Sequence, residues 1–404
     1  MVSDMTRLLV YERRDHSRSY AKCFRAAVSL HCHTNHSRES LTFIPHYAGR
    51  IPVLSKFYKS EMKRYGEKID FARAWWTPPL TARQVFEMER LEVESRLGLP
   101  AIVSITDHDD IAAGVWLQSL DSQGRIPISV EWTVPYGSGF FHLGVHNLPP
   151  DRASELMREM SAYSQIGRQI GSQIGGQNDR RSGPQAGQAR QTESRELRAL
   201  LAWINEFPEA LVVLNHPLWD IEFIGGQRHA VALGNFLGEH KDWIHALEIN
   251  GFRPWRENKA VMTMAEDFGL PVVSGGDRHG CRSNTVLNLT RAASFAEFVT
   301  EVREDGRSDV LLMPEYRESR VLRTLEVVAD VLRHYPNHPQ GQFLWTNRVF
   351  IDLEEKGARP LSDYWKRGGP AWVRVALWGL RAVGDPRVKP ALQMALSRES
   401  IMSQ

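Results

Sequence analysis

Histidine and acidic residues occur in five clusters along the chain. Each cluster lies at or just after a short apolar run. The clusters contain His31 and His33, His108 between Asp107 and Asp109, Glu131 with the later His142, His216, and Asp277 with His279. Side chains two residues apart on a strand point to the same face, so each His-x-His or Asp-x-His pair presents two ligands together. Imidazole and carboxylate groups without thiolates suit Mn²⁺, Fe²⁺ or Zn²⁺ and do not separate these ions.

A cluster of buried histidines and acids has two explanations, and the number of groups favours one of them. Without a cation, about eight charged or polar groups would each need a separate buried partner, which is costly. Five clusters at equivalent positions therefore predict a shared metal centre. More than four candidate ligands indicates two or three divalent ions, an arrangement that can activate water and clamp a phosphoryl group.

Short apolar runs in front of these clusters predict the strands that deliver the ligands. The predicted strands are 27–30, 101–106, 126–130, 140–145, 211–214, 243–249 and 271–273. Helical periodicity or capping residues predict helices at 81–97, 154–176, 193–207 and 258–268, and another after Ser294. Alternation of strand, polar cluster and helix predicts an α/β fold with parallel strands, in which chemistry collects at the carboxyl ends of the strands.

The ordered motifs resemble the stand-alone phosphoesterases of the PHP (polymerase and histidinol phosphatase) family. The resemblance rests on HxHTxxS from His31 to Ser37, ITDHD around His108, a glutamate, a later histidine, His216-Pro and GxDxH. It covers about residues 27–290. Membership would imply a distorted (β/α)₇ barrel, a centre of two or three metals, and substrates among phosphomonoesters, nucleotides and short oligonucleotides.

The resemblance also implies a role for each candidate ligand. At the first metal it implies His31, His33 and Asp277, with Glu131 as a bridging carboxylate. For the second metal it implies His142 and His216, and for the third it implies His108 and His279.

Three positions of this chain depart from the family pattern. Ser29 stands where the motif usually opens with aspartate, and Ser37-Arg38-Glu39 replaces Ser-Asp-Gly. Gly276 and Arg278 stand where serine and alanine are usual. At the third metal site we therefore keep three alternatives: Glu39 replaces the missing carboxylate, Arg38 contacts substrate phosphate in place of a third metal, or activity is reduced or lost.

The remaining candidate residues would act on the substrate. Arg38, Arg278 and Arg282 are predicted to bind phosphate, because a guanidinium pairs with phosphate oxygens in a bidentate manner. His108, Asp109 or His279 is predicted to protonate the leaving group if the third metal is missing.

Composition and charge limit the class of protein. The 404 residues include 50 Lys and Arg, 48 Asp and Glu and three cysteines, which exclude a disulfide framework and a general attraction to nucleic acid or membranes. We expect a cytoplasmic protein without a signal peptide or membrane span. We expect a lead-in at 1–26, a barrel at 27–317 with insertions near 41–75 and 154–196, a loop at 175–191, and a helical C-terminal extension at 318–404.

The main hypothesis from the sequence is a metal-dependent phosphoesterase that uses metal-activated water on a phosphomonoester, nucleotide or short oligonucleotide. One alternative is a non-catalytic or regulatory metal-binding protein on the same scaffold, suggested by Ser29 and Arg38. Another is a hydrolase of a non-phosphate ester or amide. The expected partner is a small phosphorylated substrate, with no membrane and no stable protein partner.

Overall fold

The computed structural model describes most of the chain. The described residues are 5–11, 20–44, 46, 71–121, 125–137, 139–175, 184–352, 357–365, 369, 371–383 and 387–396. At residues 72, 166–175, 184–193, 372, 376, 382 and 383 the description covers the backbone alone. Most of the predicted insertion at 41–75 and the centre of the predicted loop at 175–191 lie outside the described residues.

The described strands form two five-stranded sheets and one four-stranded sheet. In chain order they are β1 (Thr6–Val10), β2 (Ala26–Cys32), β3 (Glu39–Ser40), β4 (Trp75–Trp76), β5 (Ala101–Ile105), β6 (Ile128–Tyr136), β7 (Gly139–Leu148), β8 (Leu211–Asn215), β9 (Ala246–Asn250), β10 (Val272–Gly275), β11 (Val286–Thr290), β12 (Ser308–Leu312), β13 (Val349–Ile351) and β14 (Arg359–Pro360). All seven predicted strands are present, with ends shifted by a few residues. The α/β class is therefore confirmed.

The two large sheets mix parallel and antiparallel pairs. The first has the order β1-β12-β11-β2-β5, and the second has the order β10-β9-β8-β7-β6. Strand pairs β2–β5, β8–β9 and β9–β10 are parallel, whereas β6–β7 and β7–β8 are antiparallel. An all-parallel arrangement was wrong for β6 and β7, because only two residues join them and a parallel crossover needs a dozen or more.

Backbone contacts join the two large sheets at two edges. The amide of Gly276, just after β10, donates to the carbonyl of Leu30 in β2 at 3.0 Å. At the other edge Glu131 in β6 donates to the carbonyl of Asp107 at 3.1 Å and accepts from the amide of Asp109 at 3.0 Å. The ladders of the described strands stay in separate sheets, so they show no closed ring. These bridging bonds nevertheless bring the ends of β2, β5, β6 and β10 together.

Ten helices are described around these sheets. They are α1 (Ala82–Leu97), α2 (Ala112–Leu120), α3 (Ala153–Gly175), α4 (Pro184–Asn205), α5 (Gly226–His240), α6 (Trp255–Phe268), α7 (Phe295–Arg303), α8 (Arg320–Val331), α9 (Ala371–Val383) and α10 (Lys389–Ala395). Gly98 caps α1 in the left-handed conformation, and the Ser294 hydroxyl accepts from the Glu297 amide at the start of α7, as expected. No helix among the described residues is long and apolar enough to cross a membrane.

Three segments differ from the expectation from sequence. Strand β1 lies in the predicted lead-in and pairs in parallel with β12, so this segment belongs to the first sheet. Helix α4 already begins at Pro184, so the second half of the predicted loop is helical despite its glycines and glutamines. The C-terminal extension contains β13 and β14 as well as helices; β13 pairs with β4 and β14 pairs with β13, so both strands join the third sheet. Such long-range pairing leaves no local sequence pattern.

Apolar side chains cover both faces of the central strands. Every residue of β2, β8, β9 and β10 is buried, as expected for strands with packed layers on both sides. Trp132 of β6 is fully buried against α3, where its indole donates to the Met160 carbonyl at 3.0 Å. The polar ligand-bearing residues therefore lie within a rigid, close-packed frame.

Candidate metal centre

The Glu131 carboxylate lies at the centre of the predicted ligand set. Its Oε2 atom is 3.0 Å from Nε2 of His31 and 3.3 Å from Nε2 of His33. Its Oε1 atom is 3.2 Å from Nδ1 of His142 and 3.1 Å from Nε2 of His216. Side chains from β2, β6, β7 and the residue after β8 thus converge on one buried carboxylate.

A second carboxylate, Glu39, extends this cluster. Its Oε2 atom lies 3.3 Å from Nε2 of His108 and 3.0 Å from Nε2 of His279. The other imidazole nitrogen of His108, Nδ1, is 3.3 Å from Oε2 of Glu131. His33 connects the two carboxylates, since its Nδ1 atom is 3.6 Å from Oε1 of Glu39. Glu39 therefore lies beside His108 and His279, the two histidines that the sequence assigned to a third metal.

Asp277 lies between the two halves of the cluster. Its Oδ1 atom is 3.6 Å from Nε2 of His33, 3.8 Å from Nε2 of His31 and 3.5 Å from Nδ1 of His279. All eight ligands predicted from sequence are thus brought together, and Glu39 makes a ninth.

Several ligand atoms are buried without a hydrogen bond. They are Nε2 of His31, Nε2 of His33, Oε2 of Glu131 and Nδ1 of His142. An unpaired buried polar atom costs about 1–3 kcal/mol, so several facing the same few ångströms call for a common partner. Three sets of ligand atoms, each within 4.8 Å, could hold a cation: His31-His33-Glu131, His108-Glu131-His142, and His33-Glu39-His108-His279. The donor chemistry fits divalent ions of the Mn²⁺, Fe²⁺ or Zn²⁺ type.

Four residues at the centre have positive φ angles, although none is glycine. These are His31 at 62°, Asp109 at 51°, His216 at 29° and Asp277 at 52°. The left-handed region costs an L-residue about 1–3 kcal/mol and persists where the surrounding structure demands it. Here the turn aims the side chains of three predicted ligands at one point.

The mutual charges of the cluster shift the pKa of its members. Burial acts to raise the pKa of Glu131, but His31, His108 and His142 hold it well below its usual range. Burial lowers the pKa of His33 to about 4, and the neighbouring charge of His279 acts in the same direction. These shifts keep Glu131 ionised and His33 neutral near pH 7, and both are the states that bind metal.

Three residues outside the predicted set hold the ligands in place. Oε2 of Glu248 lies 2.6 Å from Nδ1 of His31, which leaves Nε2 of that imidazole facing the centre. The amide of Asn215 donates to Oε1 of Glu131 at 3.0 Å, and the hydroxyl of Ser37 donates to Glu39 at 2.6 Å. Sequence patterns do not reveal the contact between Glu248 in β9 and His31, because the two residues are 217 positions apart in the chain.

The acidic residues on either side of His108 have structural partners. Asp107 accepts hydrogen bonds from the amide and the hydroxyl of Thr34 at 2.5 and 2.7 Å, which ties the β5 end to the loop after His33. Oδ1 of Asp109 accepts from the amide of Thr133 at 2.8 Å. Its role as a proton donor to a leaving group remains a prediction.

The three arginines predicted to bind phosphate lie in different places. Arg38 is exposed, and its guanidinium carbon lies 5.1 Å from the ring centroid of Trp75, beside the strand that carries Glu39. Arg282 pairs instead with Glu326 at 2.7 Å, and Nε of Arg278 donates to the Arg282 carbonyl at 2.8 Å. Substrate binding by Arg278 and Arg282 at the metal centre is thus not supported, because both side chains turn towards another cavity.

Comparison with known proteins gives only distant likenesses. No protein-family profile and no curated protein matches the chain. An amidohydrolase from Chromobacterium violaceum with bound sulfate and no metal has a TM-score of 0.35 and 16% identity, covering 63% of this chain and 88% of its own. A protein from Bifidobacterium adolescentis, described as a candidate metal-dependent phosphoesterase, has a TM-score of 0.30 and 14% identity, covering 56% and 91%. No residue role or substrate follows from likeness at this level.

The Glu248→Gln variant is expected to weaken metal binding, because it removes the charge that orients His31 and makes it a better donor. Loss of such an outer partner typically costs about 10- to 100-fold in metal affinity. Competition with a chelating dye measures the change, and Glu257→Gln, which removes a carboxylate of α6 that pairs with Arg253, is the matched control. Equal affinities for the wild type and Glu248→Gln would show that Glu248 does not support the centre.

Metal binding is expected to release protons at pH 8. In the metal-free protein burial lowers the pKa of His108, but Glu39 and Glu131 outweigh it and raise the pKa to about 10. The pKa of His31 is also raised, since Glu131 and Glu248 outweigh the effect of burial. A metal binds only the neutral imidazole, so binding must displace these protons. Titration calorimetry in buffers of different ionisation enthalpy measures the release; heats independent of the buffer would contradict it.

Proposed function

We propose that this protein is a metal-dependent phosphoesterase. The observation that supports the proposal is one cluster of six histidines with Glu131, Asp277 and Glu39, in which five imidazoles lie within 3.3 Å of Glu131 and several ligand atoms lack hydrogen-bond partners. The order and spacing of these residues are those of the PHP-type motifs. We also propose that β2 and β5 to β10 close into a distorted seven-stranded barrel, since hydrogen bonds link β2 to the end of β10 and residues after β5 to β6.

Two or three divalent ions would be held by the clustered histidines and carboxylates. His31, His33, Glu131 and Asp277 would hold the first ion, and His142 and His216 would share Glu131 for the second. His108 and His279, with Glu39 in place of the usual aspartate, would hold a third. When bound, such ions lower the pKa of a coordinated water and polarise a phosphoryl oxygen.

The residues beside the centre suit a small phosphorylated substrate. Arg38 presents an exposed guanidinium at the rim, and its stacking on Trp75 limits the side chain's freedom. The ring of Trp76 lies 5.7 Å from that of His279, so an aromatic surface borders the proposed third site. The exposed guanidinium would bind a phosphate and the aromatic ring would stack on a base, which is consistent with a nucleotide or short oligonucleotide.

The experiment that tests this function is a hydrolysis screen of the full-length protein. Chromogenic phosphate mono- and diesters, mononucleotides, nucleoside bisphosphates and short RNA are offered with Mn²⁺, Fe²⁺ or Zn²⁺, alongside elemental analysis. Turnover is expected to stop with EDTA and to fall about 100-fold or more in His33→Ala, because a metal contributes several kcal/mol to the transition state. His36→Gln, a neighbouring histidine outside the ligand sets, is the control.

Two results would point elsewhere. Retained metal binding without turnover of any phosphate ester would favour the non-catalytic alternative that the altered Ser29 and Arg38 suggest. Turnover of amide or carboxylic ester substrates alone would favour a hydrolase of a different class.

The Glu39→Gln variant is expected to bind one metal ion fewer than the wild type. A neutral amide is a poor ligand beside His108 and His279, whereas the first two sites do not use this side chain. Glu39→Asp keeps the charge and is expected to retain part of the third equivalent. Elemental analysis after gel filtration gives the stoichiometry, and an unchanged count in Glu39→Gln would exclude Glu39 as a ligand.

A further inference from the structure

A cavity of about 440 Å³ lies between the loop that follows the last metal ligands and helix α8. We name it the Arg278 cavity, and the lining residues that matter for the argument are Arg278, Asn284, Arg323, Glu326, Asp330 and Lys389. None of its lining residues belongs to the three ligand sets of the metal centre. The cavity is therefore a separate place in the fold, although Arg278 is next to Asp277 in sequence.

The carboxylates that line this cavity already have partners. Glu326 pairs with Arg282 at 2.7 Å and with Lys389 at 3.4 Å. Asp330 accepts from the Cys281 amide at 2.9 Å. The other acids pair as follows: Glu318 with Lys389 at 2.6 Å, and Glu92 and Glu315 with Arg96 at 2.6 and 2.9 Å. Asp330 also lies 3.6 Å from Nη2 of Arg333, so each of the five carboxylates has a cation of the protein within 4.0 Å. Among the described residues, four cations serve these five groups, and neither Arg278 nor Arg323 is one of them.

Arg278 differs from these groups, because its charge has no such partner. It is 5% exposed, its Nε donates to the Arg282 carbonyl, and its Nη2 has no hydrogen-bond partner. Within the part of the chain that the structure describes, no carboxylate oxygen lies within 4.0 Å of its guanidinium; Glu89 and Asp330 act on it only from farther away. A buried unpaired guanidinium is strongly unfavourable, so an external anion would stabilise it.

We propose that the Arg278 cavity binds a small oxyanion, a phosphate or carboxylate group of a soluble molecule, at a site distinct from the metal centre. A guanidinium offers a planar pair of N–H donors that matches such a group. Arg323, another buried arginine of the wall, donates to the Gly251 carbonyl and adds positive charge to the same cavity.

Two further departures from the PHP-type motifs lie beside this cavity. A side chain on Gly276 would collide with Asn284, since a Cβ there would lie 1.6 Å from Oδ1. Glycine at 276 thus makes room for Asn284, whose amide donates to the hydroxyl of Ser29 at 2.6 Å. Ser29 and Gly276 therefore act on the cavity through Asn284, which lines it together with Arg278.

The test measures anion binding by the full-length protein, both as purified and after EDTA treatment, with inorganic phosphate and with citrate as probes. The melting temperature is expected to rise with either anion and to do so after EDTA as well. In Arg278→Met the affinity is expected to fall about 10- to 100-fold, the loss expected for charge-assisted hydrogen bonds. Arg256→Met, which removes an exposed arginine of α6, is the matched control.

Several outcomes would overturn the proposal. Anion binding that disappears with EDTA would assign the effect to the metal centre, and so would binding that Arg278→Met leaves unchanged. Absence of any shift with phosphate and citrate in the wild type would also exclude the site. If Arg278→Met does not fold, Arg278→Lys is tested in its place. Lysine keeps the positive charge but lacks the planar pair of N–H donors, so wild-type anion affinity in Arg278→Lys would contradict the proposed guanidinium site. The relative strength of phosphate and citrate separates the two anion classes.

Discussion

The buried carboxylate of Glu131 is the constraint on which this structure depends. It is fully buried in the middle of β6, and both of its oxygens face imidazoles. An isolated ionised carboxylate at such a depth would cost several kcal/mol, so the fold must supply positive charge or a cation at this point. Histidines from two sheets surround the carboxylate and supply hydrogen-bond donors or, when protonated, positive charge.

Assembly of the centre and closure of the fold depend on the same backbone contacts. Glu131 forms a bridge to residues 107–109, and the residues after β10 form a bridge to the end of β2. Each bridge therefore joins two sheets and also positions ligands. The positive φ angles of His31 and Asp277 occur at these joints, where a regular strand would direct the side chains away from the centre. The unfavourable backbone conformation of these two residues persists because hydrogen bonds fix the chain on both sides of them.

Sequence patterns predicted the parts of the site that depend on local geometry. The eight residues predicted as ligands lie close together, as expected for polar residues at or near the ends of neighbouring strands. The strand period alone does not aim them, because His31 and Asp277 point at the centre only through their positive φ angles. Glu39 was left as one of three alternatives, because its place depends on a two-residue strand paired with Trp76 and, through it, with Val349 about 300 residues further on. Such pairing, like the parallel partner of β1, has no local signature.

The positions that departed from the motif illustrate a second limit of reading ligands from sequence. Ser29 and Glu89 are buried partners at 2.9 Å, and Asn284 donates to the same hydroxyl because Gly276 leaves space for it. An aspartate at position 29 would place a second carboxylate against Glu89, whose pKa burial already raises to about 7. Ser29 is therefore compatible with the buried carboxyl group of Glu89. The residues at positions 29 and 276 depend on each other, because Asn284 contacts both. The serine at position 29 and the glycine at position 276 thus belong to one buried network with Glu89 and Asn284, so their effect on the neighbouring metal centre depends on these contacts and not on either residue alone.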